Sequence, residues 1–116
     1  MLFAGICLKT TEVRRLAAFY RALLGAETDQ ENDAHMTVFD AGAELSVMYD
    51  ERAGERDHKD VALMFTVEDV DQEYARLAGQ GIIVDEPPTL RPWGAKNMLM
   101  RDPDGNTVAF RSFPKE

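Results

Sequence analysis

Apolar residues in the first quarter of the chain alternate and then recur at helical spacing. Residues 2–9 alternate between two faces, which is typical of a β-strand. Residues 13–24 carry an apolar stripe of helical period, and Gly25 can adopt the left-handed conformation that ends helices. The pattern therefore predicts a strand followed by an amphipathic helix, with an N-cap oxygen from Thr10 or Thr11.

The next apolar segments predict a β-hairpin. Residues 35–40 and 44–49 each have strand-like composition and alternation. If residues 41–42 form the loop, Thr37 lies opposite Ser46. Residues 26–33, before this hairpin, have room for one more strand.

A mixed-charge run then interrupts the pattern, which afterwards restarts. Residues 50–60 contain a glycine and no apolar periodicity, so they predict an exposed linker. Residues 61–67 predict a strand, and residues 70–79 predict a second amphipathic helix.

The last third of the chain predicts a short strand and a closing hairpin. Residues 82–84 form the short strand, and Pro87 and Pro88 are expected to break the chain after it. The turn of the hairpin is Asp-Pro-Asp-Gly-Asn at 102–106, in which each residue type favours a tight turn. A strand, a helix and three strands thus occur twice, as a repeat of pattern rather than of residue identity.

Length and composition limit the architecture and the partners. The chain has 116 residues, of which 45% are apolar, and this is enough for one domain with a hydrophobic core. No apolar run approaches the roughly 20 residues that a membrane span needs, so we expect no membrane partner. The net charge of −8 disfavours nucleic acid; it would attract a cationic small molecule, although solubility alone is the favoured explanation of the charge. The single cysteine, Cys7, fits a reducing cytoplasm, and a small buried thiol is favoured over a nucleophile because no base accompanies it.

The order of these motifs resembles a known family. The segments AFYRALLG, FTVEDVDQEYARLAGQG, PWG and DPDGN, in this order, resemble the vicinal oxygen chelate superfamily of glyoxalases, bleomycin-resistance proteins and extradiol dioxygenases. The resemblance implies an α+β fold of two βαβββ modules, about 1–50 and 61–113, within one domain spanning 1–116. It further implies that the mixed sheets curl into a cup with the helices outside, and that two copies form a homodimer with ligand clefts between them.

The resemblance also implies where metal-dependent members hold a divalent ion. Those positions fall here on Gly5, Ser46, Ala62 and Ala109. Three of the four have no side-chain donor, and a lone hydroxyl binds divalent ions weakly. The neighbouring candidates are His35 and Glu44, which come from one hairpin without an evident third ligand and are better explained as surface residues. We therefore expect no metal and no other cofactor.

Without a metal, the cup would be a mostly apolar pocket with a few polar groups, as small-molecule sites usually are. Strand alternation predicts that its lining includes Cys7, Thr37, Phe39, Ser46, Met48, Met64, Thr66, Thr107 and Arg111. Trp93 lies on the constrained PWG loop, where its indole would either stack on a planar or cationic ligand or fill a dimer contact or the core. Arg111 would either pair with an anionic ligand or form a surface ion pair.

Three functions remain open at this point. The first is a metal-independent small-molecule binding protein of the bleomycin-resistance type, a sequestration or antibiotic-resistance role without catalysis. The second is a divalent-metal-dependent lyase, isomerase or dioxygenase of the same superfamily. The third is a protein-interaction module whose cup is filled by its own side chains. The empty ligand positions favour the first.

Overall fold

The computed structural model describes residues 1–40, 42–54 and 58–114, with the backbone alone for residues 39, 40, 58 and 59. The elements follow one another as β1 (Gly5–Thr10), α1 (Val13–Leu24), β2 (His35–Asp40), β3 (Ala43–Tyr49), β4 (His58–Thr66), α2 (Val70–Gly79), β5 (Val84–Leu90), β6 (Lys96–Arg101) and β7 (Asn106–Ser112). They divide into two compact units, Met1–Glu55 and Arg56–Glu116, called unit 1 and unit 2 below.

Unit 1 is a three-stranded sheet of order β1-β3-β2 with one helix. The strand β1 runs parallel to β3, whereas β2 runs antiparallel to it. Thr37 is paired with Ser46, as the sequence predicts. The helix packs on β2 and β3, and the buried apolar side chains of this unit come from both layers: Val13, Leu16, Ala17, Tyr20, Leu23, Met36, Val38, Leu45 and Val47.

The two ends of α1 match the sequence prediction differently. At the C-terminus, Gly25 has φ 60° and donates its N–H to the carbonyl oxygen of Arg21, so this prediction is confirmed. At the N-terminus the capping position is Glu12, and its side chain accepts no capping hydrogen bond in the described helix. Thr10 is instead the last residue of β1, buried and paired with Tyr49, and its Oγ1 accepts only the N–H of Glu12, at 3.0 Å. The predicted threonine N-cap is therefore wrong.

The segment at residues 26–33 contributes one bridge, Glu31 to Met36, where the sequence leaves room for a strand. Ion pairs connect this segment to α1. Arg14 Nη1 lies 2.9 Å from Glu31 Oε2, and Arg14 Nε lies 2.9 Å from Asp33 Oδ1. Arg21 also pairs with the Glu31 carboxylate, whose side chain is only 12% exposed. The segment is thus held on two sides: the ion pairs connect it to α1, and backbone hydrogen bonds from Asn32 to His35 and from Thr37 to Gln30 connect it to β2.

Unit 2 is a four-stranded sheet of order β4-β7-β6-β5. Only the β4–β7 pair is parallel. The helix α2 packs on β5, β6 and β7. The buried apolar side chains of the two layers are Val70, Leu77, Met98, Met100, Val108 and Phe110. The helix begins at Asp69, whose carboxylate accepts from the N–H groups of Asp71 at 2.9 Å and Gln72 at 3.3 Å.

Two strands of unit 2 are longer than predicted. The first, β4, begins at His58, so the predicted linker at 50–60 is too long and the strand prediction at 61–67 too short. The second, β5, shares only Val84 with the strand predicted at 82–84, and it continues through Pro87 and Pro88, where the sequence predicts a break. The prolines are tolerated because β5 is an edge strand and its pairing with β6 is irregular between Glu86 and Thr89.

The final turn forms as predicted and is stabilised by a buried carboxylate. Asp102 is 5% exposed. It accepts from the backbone N–H groups of Asp104 and Asn106, both at 2.9 Å, and from Asn106 Nδ2 at 2.7 Å. These bonds hold β6 and β7 in their hairpin register.

The α+β class and the two-module organisation are confirmed: each unit is a mixed sheet with one helix packed on one of its faces. The prediction that both modules form one domain remains a prediction. None of the helices in the described ranges is long and apolar enough to cross a membrane.

Candidate functional site

Each sheet has a face that its own helix does not cover, called the open face below. In unit 1 this face carries three cross-strand rows. The central row is Cys7, Ser46 and Thr37. The rows on either side are Lys9, Met48 and His35, and then Gly5, Glu44 and Phe39. The backbone of Phe39 lies opposite Glu44, whereas its side chain lies outside the described part of the chain.

The open face of unit 1 is partly accessible. Met48 is 38% exposed, whereas Thr37 and Ser46 are buried. Thr37 Oγ1 lies 3.1 Å from His35 Nε2. Cys7 is exposed, so the prediction of a buried thiol is wrong. A depression of about 190 Å³ is lined by Ala4, Gly5, Ile6, Cys7, Glu44 and Ser46.

Gly5 occupies the position in the first strand where the resemblance places a metal ligand, and the neighbouring backbone leaves no room there for a side chain. Gly5 has φ 152°, and a Cβ built on it would overlap the carbonyl oxygen of Glu44 and lie 2.7 Å from its carbonyl carbon and 2.8 Å from its nitrogen. A metal-binding side chain at Gly5 would therefore need the β1–β3 pairing to change. In this backbone the position belongs to glycine.

The two candidate metal ligands of unit 1 are not brought together. His35 pairs with Met48, four residues along β3 from Glu44, which is a separation of about 13 Å. One ion cannot contact both side chains, since bonds to divalent ions are only about 2.0–2.6 Å long. Across 1–40, 42–54 and 58–114, no three His, Cys, Asp or Glu side chains are grouped so that they could hold an ion. The described residues therefore do not fit the metal site that the resemblance implies.

Unit 2 carries the remaining predicted site residues. Ala62 pairs with Thr107, Met64 with Ala109, and Thr66 with Arg111. These six residues lie on the open face. Along the strands, the pair Phe65 and Phe110 comes between the last two of these pairs and therefore lies on the opposite face, which carries the buried residues Met98 and Val108. Met64 is 62% exposed. Ala62 and Ala109 supply no donor at the two family ligand positions.

Trp93 lies on a tight loop between β5 and β6. The N–H of Arg91 donates to the carbonyl oxygen of Ala95 at 2.7 Å, and the N–H of Gly94 donates to that of Arg91 at 3.0 Å. The Trp93 side chain is 71% exposed, so it fills no core of its own unit. The alternative of a core residue is thus excluded for unit 2, and ligand stacking and a dimer contact remain.

Sequence reasoning missed two neighbours of Arg111, Asn97 and Phe113, and one further residue, Arg91, that contacts Asn97. Asn97 is the cross-strand partner of Arg111, Arg91 donates to Asn97, and Phe113 lies under the Arg111 guanidinium. The alternation of residues 96–101 would have identified Asn97, because the predicted hairpin places it opposite Arg111. Phe113 follows Arg111 by two residues, so alternation also places it on the same face, whereas Arg91 lies in a loop and had no such signal.

Comparison with known proteins identifies the family. The model of the Glyoxalase/Bleomycin resistance protein/Dioxygenase superfamily matches residues 3–110. A comparison with curated proteins found no match.

Solved structures have the same fold. A glyoxalase/bleomycin resistance protein from Catenulispora acidiphila is 24% identical with a TM-score of 0.75, covering 98% of this chain and 100% of that one. A lactoylglutathione lyase from Agrobacterium tumefaciens is 19% identical with a TM-score of 0.75, covering 95% and 92%. A structure described as a conserved domain protein is 24% identical with a TM-score of 0.84, covering 98% and 100%. At these identities the structural likeness concerns the fold alone.

The repeated strand–helix–three-strand pattern, the two mixed sheets and the match over residues 3–110 lead to one conclusion: the chain belongs to the Glyoxalase/Bleomycin resistance protein/Dioxygenase superfamily.

Proposed function

We propose that this chain binds a small organic molecule without a metal ion, in clefts at the interface of a homodimer. The observation that carries the proposal is the donor-poor set at the four family ligand positions, Gly5, Ser46, Ala62 and Ala109. At Gly5 the close approach of the Glu44 backbone excludes a side chain altogether. With so few donors for an ion at these positions, we expect recognition to rely on shape, stacking and hydrogen bonding.

Exposed apolar side chains support a ligand or partner contact. In unit 2, Met64, Leu90 and Trp93 are each at least 62% exposed. Large apolar side chains outside the core are favoured where a ligand or a second subunit covers them. A homodimer with ligand clefts at its interface accounts for both kinds of contact.

The ligand test uses Trp93 as its probe. It is the only tryptophan, so the whole indole emission reports on one loop. We expect at least one member of a library of aromatic and cationic compounds, antibiotics included, to quench this emission and raise the melting temperature. No change in either measurement across the library would contradict small-molecule binding.

A variant pair locates the binding site. Trp93→Ala is expected to weaken binding of the hit about tenfold in calorimetry, a loss typical of one aromatic stacking contact. Ile83→Ala is the control, because Ile83 is likewise exposed (79%) and apolar but lies before β5 rather than on the Trp93 loop. Equal affinities in the two variants would show that Trp93 takes no part in binding.

Metal dependence and assembly are tested separately. Nickel, zinc, manganese and iron are expected to be substoichiometric after purification and to leave the melting temperature unchanged. Stoichiometric metal would overturn the metal-independent proposal. Sedimentation equilibrium is expected to give twice the 13.0 kDa chain mass, and a monomer would contradict the interfacial cleft.

A further inference from the structure

Among the described side chains on the open face of unit 2, Arg111 is a cation without a carboxylate partner. Arg111 lies in the middle of the cross-strand row Thr66, Arg111 and Asn97. Within the described ranges, Arg111 makes no ion pair, whereas Arg91 pairs with Glu86, Arg101 with Asp85 and Lys96 with Asp71. In a chain with 21 acidic and 13 basic residues, such a guanidinium is unusual.

The Arg111 side chain is nevertheless held in place. Its Nε donates to Thr66 Oγ1 at 3.0 Å, and its guanidinium carbon lies 5.3 Å from the centre of the Phe113 ring. A hydroxyl and an aromatic face fix the plane of the guanidinium without neutralising its charge. The donors on Nη1 and Nη2 have no polar partner in the part of the chain that the structure describes, so they are available to an external acceptor.

A second donor lies beside it. Asn97 pairs across the ladder with Arg111. The Oδ1 atom of Asn97 accepts from Arg91 Nε at 2.6 Å, and this bond leaves the amide Nδ2 as the free end of that side chain. Arg91 itself is oriented by Glu86, whose Oε1 lies 3.5 Å from its Nη2. Arg111 and Asn97 therefore present hydrogen-bond donors from two adjacent strands. The carboxylate beside them, that of Glu86, is already paired with Arg91.

From this arrangement we infer that Arg111, together with Asn97, binds the carboxylate of a small-molecule ligand on the open face of unit 2. A planar carboxylate matches the fork of a guanidinium with two parallel hydrogen bonds. One uncompensated guanidinium balances one negative charge, which favours a monocarboxylate over a phosphate. The inference rests on the proposed small-molecule function and specifies its ligand class, in place of the cationic ligand that the net charge of the chain suggests.

The test compares ligands that differ in one group. Benzoate, benzamide and benzylamine share a ring and carry a carboxylate, a neutral amide and a cation, and inorganic phosphate tests the other oxyanion. We expect benzoate to bind at least about tenfold more tightly than benzamide in calorimetry, since a charge-assisted pair exceeds a neutral one by more than about 1.4 kcal/mol. In ¹⁵N NMR, benzoate is expected to shift the Nε–Hε resonance of Arg111, and benzamide is not.

Two substitutions locate the effect. Arg111→Gln is expected to remove the tenfold preference, and Arg111→Lys, which keeps the charge but loses the Nε bond to Thr66, to retain part of it. Arg101→Gln is the matched control. It removes the same charge from the open face of the same sheet, opposite Thr107, and is expected to keep the full preference. Melting curves of all three variants verify that they fold.

Each remaining outcome overturns the inference. Equal binding of benzoate and benzamide would do so while leaving small-molecule binding intact, as would tighter binding of benzylamine or of phosphate. If Arg101→Gln and Arg111→Gln both lost the preference for benzoate to the same extent, the preference would come from the overall electrostatic potential of the protein and not from Arg111. If neither benzoate nor benzamide binds, no carboxylate is held at Arg111, and the library and Trp93 experiments alone decide the proposed function.

Discussion

The two units build the same order of elements by different means. In unit 2 the strand after the helix is a full edge strand, β5, hydrogen-bonded to β6. In unit 1 the corresponding segment makes one bridge, at Glu31, and is held to α1 by Arg14 and Arg21. In unit 1 ion pairs to α1 therefore accompany a shorter backbone pairing, in which Asn32 donates to His35 and Thr37 donates to Gln30.

The open faces differ as well. The face of unit 1 carries a thiol, hydroxyls, a thioether, the imidazole of His35 and the carboxylate of Glu44, and its described lysine, Lys9, lies 3.9 Å from Asp50. The face of unit 2 presents Arg111 without a carboxylate and an amide beside it. Two modules with one topology therefore offer different chemistry to a ligand, and specificity for charge is expected to come from unit 2.

The largest effect is expected where the backbone itself excludes a side chain. Gly5→Ala in unit 1 should lower the free energy of unfolding by about 3 kcal/mol, because a methyl group meets the Glu44 backbone and φ 152° is strained for alanine. Gly79→Ala in unit 2 is the control: it ends α2, and nothing described lies within 4 Å of its added Cβ. This change should be neutral or stabilising by up to about 1 kcal/mol. Urea denaturation measures both, and a Gly5→Ala variant as stable as the parent would disprove the close β1–β3 approach.

A smaller effect is expected to distinguish the segment after α1 in unit 1 from β5, which follows α2 in unit 2. Glu31→Gln should lower the free energy of unfolding by about 1–2 kcal/mol, since a side chain that is 12% exposed then leaves Arg14 and Arg21 without their shared carboxylate. Glu86→Gln in β5 should cost less than about 0.5 kcal/mol, because its pair is 55% exposed on the glutamate side and the strand is held by backbone bonds. Equal losses would mean that unit 1 does not depend on its ion pairs.

The smallest effect concerns the starts of the two helices. Asp69→Ala removes a side chain that accepts two N–H groups at the start of α2 and should cost about 1 kcal/mol. Glu12→Ala at the start of α1 removes no capping bond and only the exposed pair with Arg15, so it should cost less than about 0.5 kcal/mol. Thermal unfolding followed by circular dichroism distinguishes the two, and the reverse order would contradict the assigned caps.

Sequence reasoning identified what local chemistry determines. Gly25 ends α1, the turn at 102–106 closes the last hairpin, and Thr37 pairs with Ser46, because each follows from one residue's conformational preference or from strand alternation. It failed where tertiary context overrides local preference. Pro87 and Pro88 break a strand in isolation but are accepted at a sheet edge, and β4 extends into a charged run that has no apolar periodicity.

The candidate site was predictable to the same extent. Alternation placed Cys7, Ser46 and Thr37 on one face, as the register shows, but it could not give their exposure, and Cys7 proved to be exposed. Nor could alternation find Arg91, which approaches Asn97 from a loop. Contacts made by loop residues have no period from which they can be read.

The adjacent prolines of β5 have a consequence for assembly. Two successive residues of this edge lack an amide hydrogen, so a passing strand from another molecule meets an incomplete row of donors there. The prolines therefore disfavour the addition of further strands to β5, the edge strand at which fibril growth could otherwise begin.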